Sequence, residues 1–161
     1  MLEYDFENSL GYWVCATAHD LARMLNEELS AHGITFRQWE VLAMLSLGGE
    51  QSQSELAERL KIEAPTLVGV LDRMERDGWI VRLADPHDKR RKIIQATQQV
   101  EPVWNRMIEC AKRVRGRATA GLSGEELETL RGLLGRVRDN VARDGKPAEM
   151  PCAPVAAAQE V

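Results

Sequence analysis

The sequence predicts a mainly α chain of class α+β, with six helices and one β-hairpin. Three observations predict it. Residues 50–97 read as a short helix, a tight connection, a second helix and then two strands around a charged loop. Long apolar stripes at helical spacing flank that segment on both sides. Basic residues gather in the loop between the two strands, although the chain carries a net charge of −4. Helix, turn, helix and hairpin is the plan of a winged helix-turn-helix. In it the second helix enters the DNA major groove and the hairpin reaches the backbone or minor groove beside it.

From the N-terminus, Leu10, Val14, Leu21, Leu25 and Leu29 recur at i, i+3/i+4 spacing, so residues from about 8 to 31 form one long amphipathic helix, stopped at Gly33. Thr35 caps the next helix, whose buried side is Trp39, Leu42, Ala43 and Met44 or Leu45, and Gly48-Gly49 ends it. Ser52 and Glu55 have capping-box spacing and open the third helix, with Leu56 and Leu60 as its apolar stripe. Lys61-Ile62-Glu63 is a short connection, and Pro65 suits a first helical turn because its missing N–H costs nothing there. Leu67, Leu71 and Met74 give the fourth helix its periodicity, and Gly78 stops it. Trp79 to Leu83 and Lys92 to Ala96 are the two strands. A fifth helix runs from Thr97 to about Ala120, with Pro102 imposing a kink or a delayed start. Ser123 and Glu126 form a second capping box for the last helix, carried by Leu127, Leu130, Leu134, Val137 and Val141. Residues 146–161 contain prolines and alanines without a periodic face and are expected to be disordered.

The stretch Arg82 to Lys92 sets five basic residues against Asp85 and Asp88. Positive charge concentrated beside a helix-turn-helix is what phosphate neutralisation requires. Elsewhere the composition is that of an ordinary globular protein. No apolar run has membrane-spanning length, and the acidic N-terminus lacks a signal-peptide pattern, so the expected location is cytoplasmic. Cys15, Cys110 and Cys152 are odd in number and far apart, which predicts reduced thiols. His19, His32 and His87 are scattered, so no metal site is expected. Without a phosphate loop, HExxH or GxSxG, the chain is expected to be no enzyme and to need no cofactor. The long terminal helices, residues 8–34 and 98–143, carry more apolar surface than residues 35–97 can cover. A second copy of the chain would cover it, and a two-fold dimer predicts a pseudo-palindromic operator.

The run IEAPTLVGVLDRMERDGWIVRLADPHDKRRKIIQAT, with ITFRQWEVLAML before it, resembles the core of the MarR/SlyA family of bacterial transcriptional regulators. The likeness covers residues 8–143. Its specific parts are residues 71–80 and the run Asp85 to Arg91. The resemblance implies a triangular homodimer, with the first, fifth and sixth helices as the dimerisation region (8–34 and 98–143) and residues 35–97 as the DNA-binding region. It also implies that Arg90 is the wing-tip arginine entering the minor groove. Asp88 would steady the wing by pairing with an arginine, with Arg73 the first candidate. Ser52 and Ser54 would meet phosphate at the start of the third helix, with Ser52 alternatively a helix cap only. The candidate DNA contacts are thus Ser52, Ser54, Pro65, Thr66, Leu67, Gly69, Arg73, Asp88, Lys89, Arg90, Arg91 and Lys92.

Gly69 departs from the family pattern, which often places a larger polar residue there. Residues 64–71 carry no Arg, Asn or Gln for bidentate base reading, so specificity shifts toward apolar contacts, Arg73, the wing arginine and DNA shape. The function expected is a sequence-specific, double-stranded DNA-binding regulator, a repressor. Its implied effector is a small aromatic carboxylate held by Trp13, His19, Arg23 and Trp39. Two alternatives stand beside it. One is redox response through Cys15, which lies one turn past the position, Gly11, that matches the reactive cysteine of some relatives. The other is a winged-helix protein-interaction module that does not read DNA.

Overall fold

The computed structural model describes residues 5–88 and 91–142. The element order is α1 (Leu10–Ser30), α2 (Phe36–Gly48), β1 (Gln51–Ser52), α3 (Gln53–Leu60), α4 (Ala64–Arg76), β2 (Ile80–Ala84), β3 (Lys92–Ala96), α5 (Glu101–Ala118) and α6 (Gly124–Val141). The helix starts follow from the caps. Thr35, Ser52 and Ser123 each close a capping box with a Gln or Glu three residues on. Pro102 acts as a delayed start: a 3-10 turn at Gln98–Val100 precedes α5, and the proline sits in the first turn of that helix.

The sheet is three-stranded and antiparallel, in the order β1-β3-β2. The hairpin aligns Ala84 with Lys92 and Ile80 with Ala96. The third strand, β1, is only two residues long and pairs Gln51 with Ile94. Sequence periodicity cannot show so short a strand; it exists only because β3 passes beside it.

One core runs through the winged region and joins it to α1 and α5. Leu25 and Leu29 of α1, most of α2, Leu56 and Leu60 of α3, Leu67, Leu71 and Met74 of α4, Ile80 and Ile94 of the sheet, and Met107, Ala111 and Val114 of α5 are all buried. Trp39 stacks on Trp104 with ring centroids 5.3 Å apart, linking α2 to α5. An ion pair of Glu28 with Arg113, 2.8 Å, fastens α1 to α5 and holds the Glu28 carboxyl below its usual range. The other half of the terminal apolar surface is uncovered. Leu10, Tyr12, Trp13 and Val14 of α1 are exposed, and α6 buries none of its residues within the chain. Among the described residues, no helix is long and apolar enough to cross a membrane. The segment 146–161, expected to be disordered, lies outside the described residues, as do Lys89 and Arg90.

Candidate nucleic-acid interface

The interface is built from the α3–α4 corner and the base of the wing. At the corner Lys61 takes up the left-handed conformation, φ 50°, ending α3 so that α4 can start three residues later. Leu67, Val70, Leu71 and Met74 fix the inner face of α4. The outer face is then Pro65, Thr66, Val68, Asp72, Arg73 and Arg76, with Gly69 half-buried. At its far end Gly78, φ 76°, reverses the chain into β2 in a conformation that strains any side chain, and a Cβ there would push the Gln99 amide aside.

Two arginines fasten the wing to the helices. Arg82 on β2 forms ion pairs with Asp72 and Glu75 of α4, both at 2.7 Å, and its guanidinium donates to the Val68 carbonyl. Arg91 reaches Glu55 on α3 at 2.5 Å and Asp85 at 3.8 Å. Its backbone N–H donates to the Asp88 carbonyl at 2.9 Å, and its carbonyl accepts from Asp85 N–H. The Arg91 guanidinium, with the Ser52 N–H and hydroxyl behind it, lowers the Glu55 carboxyl to about 2. Two of the five basic residues counted from sequence are therefore engaged in holding the wing. Lys92 is exposed. Beside it a cleft of about 260 Å³ opens between Gln53, Ser54, Ala64, Arg91 and Lys92. It joins the start of α3, the start of α4 and β3, and offers hydroxyl, amide and cationic groups to an anion.

The expected contact residues divide clearly. Ser54, Pro65, Thr66, Arg73 and Lys92 are exposed on this surface, with Gly69 and Arg91 partly so. Ser52 is not: it is 1 % exposed, and its hydroxyl accepts from Glu55 N–H and lies 3.1 Å from that of Ser54. A buried cap has no face for a phosphate, so its role is the helix cap. Leu67 is 0 % exposed and belongs to the core, because it lies on the same side of α4 as Leu71 and Met74. Asp88 is exposed and adjoins Arg91, and no ion pair joins it to Arg73 among the described residues. Arg82, rather than Arg73, ties the wing to α4. The signal for it was present as two acids three apart, Asp72 and Glu75, opposite an arginine on the next strand. Val68 was missed as well, although it falls off the 67/70/71/74 stripe and so points outward.

The four residues expected to hold an aromatic acid are not gathered within one chain. Trp39 is buried in the core against Trp104, with 1 % of its surface exposed. Trp13, His19 and Arg23 are exposed on α1. The Trp13 indole donates to the Glu7 carbonyl, and Arg23 pairs with Asp20 and Glu27. Cys15 is exposed on the same helix, and Cys110 is buried in α5. No group of three or more potential metal ligands occurs among the described residues.

Residues 32–91, from just before α2 to the residue before β3, match the model of the MarR family. Over those residues the chain is similar to the MarR family. Solved structures extend the likeness to the flanking helices. MarR from E. coli in its apo form is 28% identical with a TM-score of 0.75, covering 84% of this chain and 98% of that one. A cysteine-to-serine mutant of E. coli MarR, complexed with operator DNA, is 29% identical with a TM-score of 0.67, covering 80% of this chain and 92% of that one. A probable transcriptional regulator from Pseudomonas aeruginosa is 29% identical with a TM-score of 0.67, covering 83% and 99%.

Proposed function

We propose that this chain is a transcriptional regulator, a repressor, that binds operator DNA sequence-specifically as a homodimer. The observation that carries the reading is the outer face of α4, left bare beside a cleft lined by Arg91 and Lys92. A helix with an exposed face beside the cations that open β3 suits insertion into the major groove with the strand on the adjoining backbone. That the E. coli relative was solved with operator DNA supports the same kind of partner. The uncovered apolar faces of α1 and α6 support the second chain. Residues 8–34 and 98–143 would form the dimerisation region, and the two-fold axis would set two α4 helices on a pseudo-palindrome.

Release by a small aromatic carboxylate rests on the resemblance. Within this chain it would use Trp13, His19 and Arg23 without Trp39. Because Arg23 already pairs with Asp20 and Glu27, a ligand carboxylate would have to displace those partners. Such a ligand would act by favouring a spacing of the winged regions that no longer fits two half-sites.

The test is binding of the purified protein to duplex DNA from its own upstream region, across a salt series, beside Arg90→Ala. The expected result is tight, sequence-selective binding that weakens with salt, and a loss of at least tenfold in the variant. Equal, weak binding to every duplex, unchanged by the substitution, would overturn the reading in favour of a protein-interaction module.

A further inference from the structure

Base reading by hydrogen bonds needs long polar side chains at the start of α4, and none is there. The outer surface of its first two turns consists of Ala64, Pro65, Thr66, Val68 and Gly69. Thr66 contributes a hydroxyl and a methyl. In the next turn Asp72, the first charged group, is held by Arg82. What these first two turns offer a groove is therefore chiefly apolar. Val68 is the large apolar side chain exposed there: it is 37 % exposed, whereas Leu67, Val70 and Leu71 are 3 % or less. Its position is fixed from two sides, by the helix and by the Arg82 guanidinium, which donates to the Val68 carbonyl at 3.4 Å. Beside it Gly69 has no side chain, and a Cβ placed there would meet nothing within 4 Å. That bare position lets the helix axis approach the base edges more closely than a larger residue would.

The major groove presents one apolar group, the C5-methyl of thymine. We infer that Val68 selects a thymine in each operator half-site by methyl contact, and that Gly69 permits the approach. This rests on the DNA-reading function proposed above and names what that surface reads. Val68 is a specificity-determining residue: a cytosine or uracil at the same position offers no methyl, and a purine offers polar edges to a side chain that cannot pair with them.

The experiment starts with the full-length protein selecting duplexes from a randomised pool. The selected site is then resynthesised with deoxyuridine replacing thymine, one position at a time, which removes only the methyl. The expected result is a T·A pair common to both half-sites. Deoxyuridine at that position should weaken binding about fourfold per half-site, the value of one buried methyl. Val68→Ala, a surface change, should bind the thymine and uracil forms equally. Equal wild-type affinity for the two forms, a selected site without a shared thymine, or a Val68→Ala variant that keeps the preference would each overturn the inference. Salt-dependent, selective binding that ignores uracil would leave DNA reading standing and remove this inference alone. Failure to select any duplex would remove both.

Discussion

Truncation of Leu130 and Leu134 together is expected to separate two copies of the chain while leaving each copy folded. Both leucines lie on α6, which buries no residue within one chain, and they are 46 % and 41 % exposed. Roughly half of each side chain is thus available to a partner. Full burial of a leucine contributes about 1.5–3 kcal/mol, so covering the remaining half contributes about 1 kcal/mol per residue. Two residues in each of two chains give about 4 kcal/mol, or about three orders of magnitude in the dimer dissociation constant. The Leu130→Ala/Leu134→Ala variant should therefore sediment as a monomer at micromolar concentration where the parent sediments as a dimer. Its helical circular dichroism should be retained, because the core of α2, α4 and α5 is untouched. A variant that stays dimeric, or a parent that is monomeric throughout, would refute the assignment of α6 to a partner.

Gly69→Ala should raise stability by about 1 kcal/mol, since alanine favours the helix and its Cβ meets open space; an unchanged urea midpoint would show that Gly69 is not helical in solution. Arg82→Ala removes two ion pairs and a hydrogen bond to the Val68 carbonyl and should cost roughly 1–2 kcal/mol, as Arg82 is mostly shielded but both acids are partly solvated. Hydrogen exchange should rise first in β2 and β3, and uniform protection across the hairpin would count against the contact. The Glu55 carboxyl is lowered to about 2, chiefly by Arg91, so its contribution is present above the ordinary carboxylate value of 4.5 and is lost as pH falls from there toward 2. Urea midpoints measured from pH 5 to 3 should fall less steeply in Glu55→Gln; identical slopes would mean that the Glu55–Arg91 bond does not persist in water.

Much of the fold follows from local rules that a linear sequence displays. Capping boxes at Thr35, Ser52 and Ser123, the Pro102 start and the Gly78 stop are decided within four residues of chain, so the helix limits were legible. The apolar stripes likewise placed the inner face of α4, and with it the outward direction of Thr66, Gly69 and Arg73. The excess of terminal apolar surface also followed from the sequence, since the stripes of the long terminal helices exceed what residues 35–97 can cover, and α6 indeed buries none of its residues within the chain.

Tertiary structure decided which polar residues are free. Ser52, read as either a phosphate contact or a cap, is a cap because β1 pairs with β3 and buries it. Arg82 and Arg91 were counted as phosphate-facing charge, yet each meets a carboxylate on a different helix, Asp72 and Glu75 of α4 or Glu55 of α3. Trp39 left the effector set because Trp104, 65 positions along the chain, stacks on it. Periodicity tells a side chain which way to point relative to its own helix. Whether a partner waits there depends on how distant segments pack, and spacing within one segment carries no record of that.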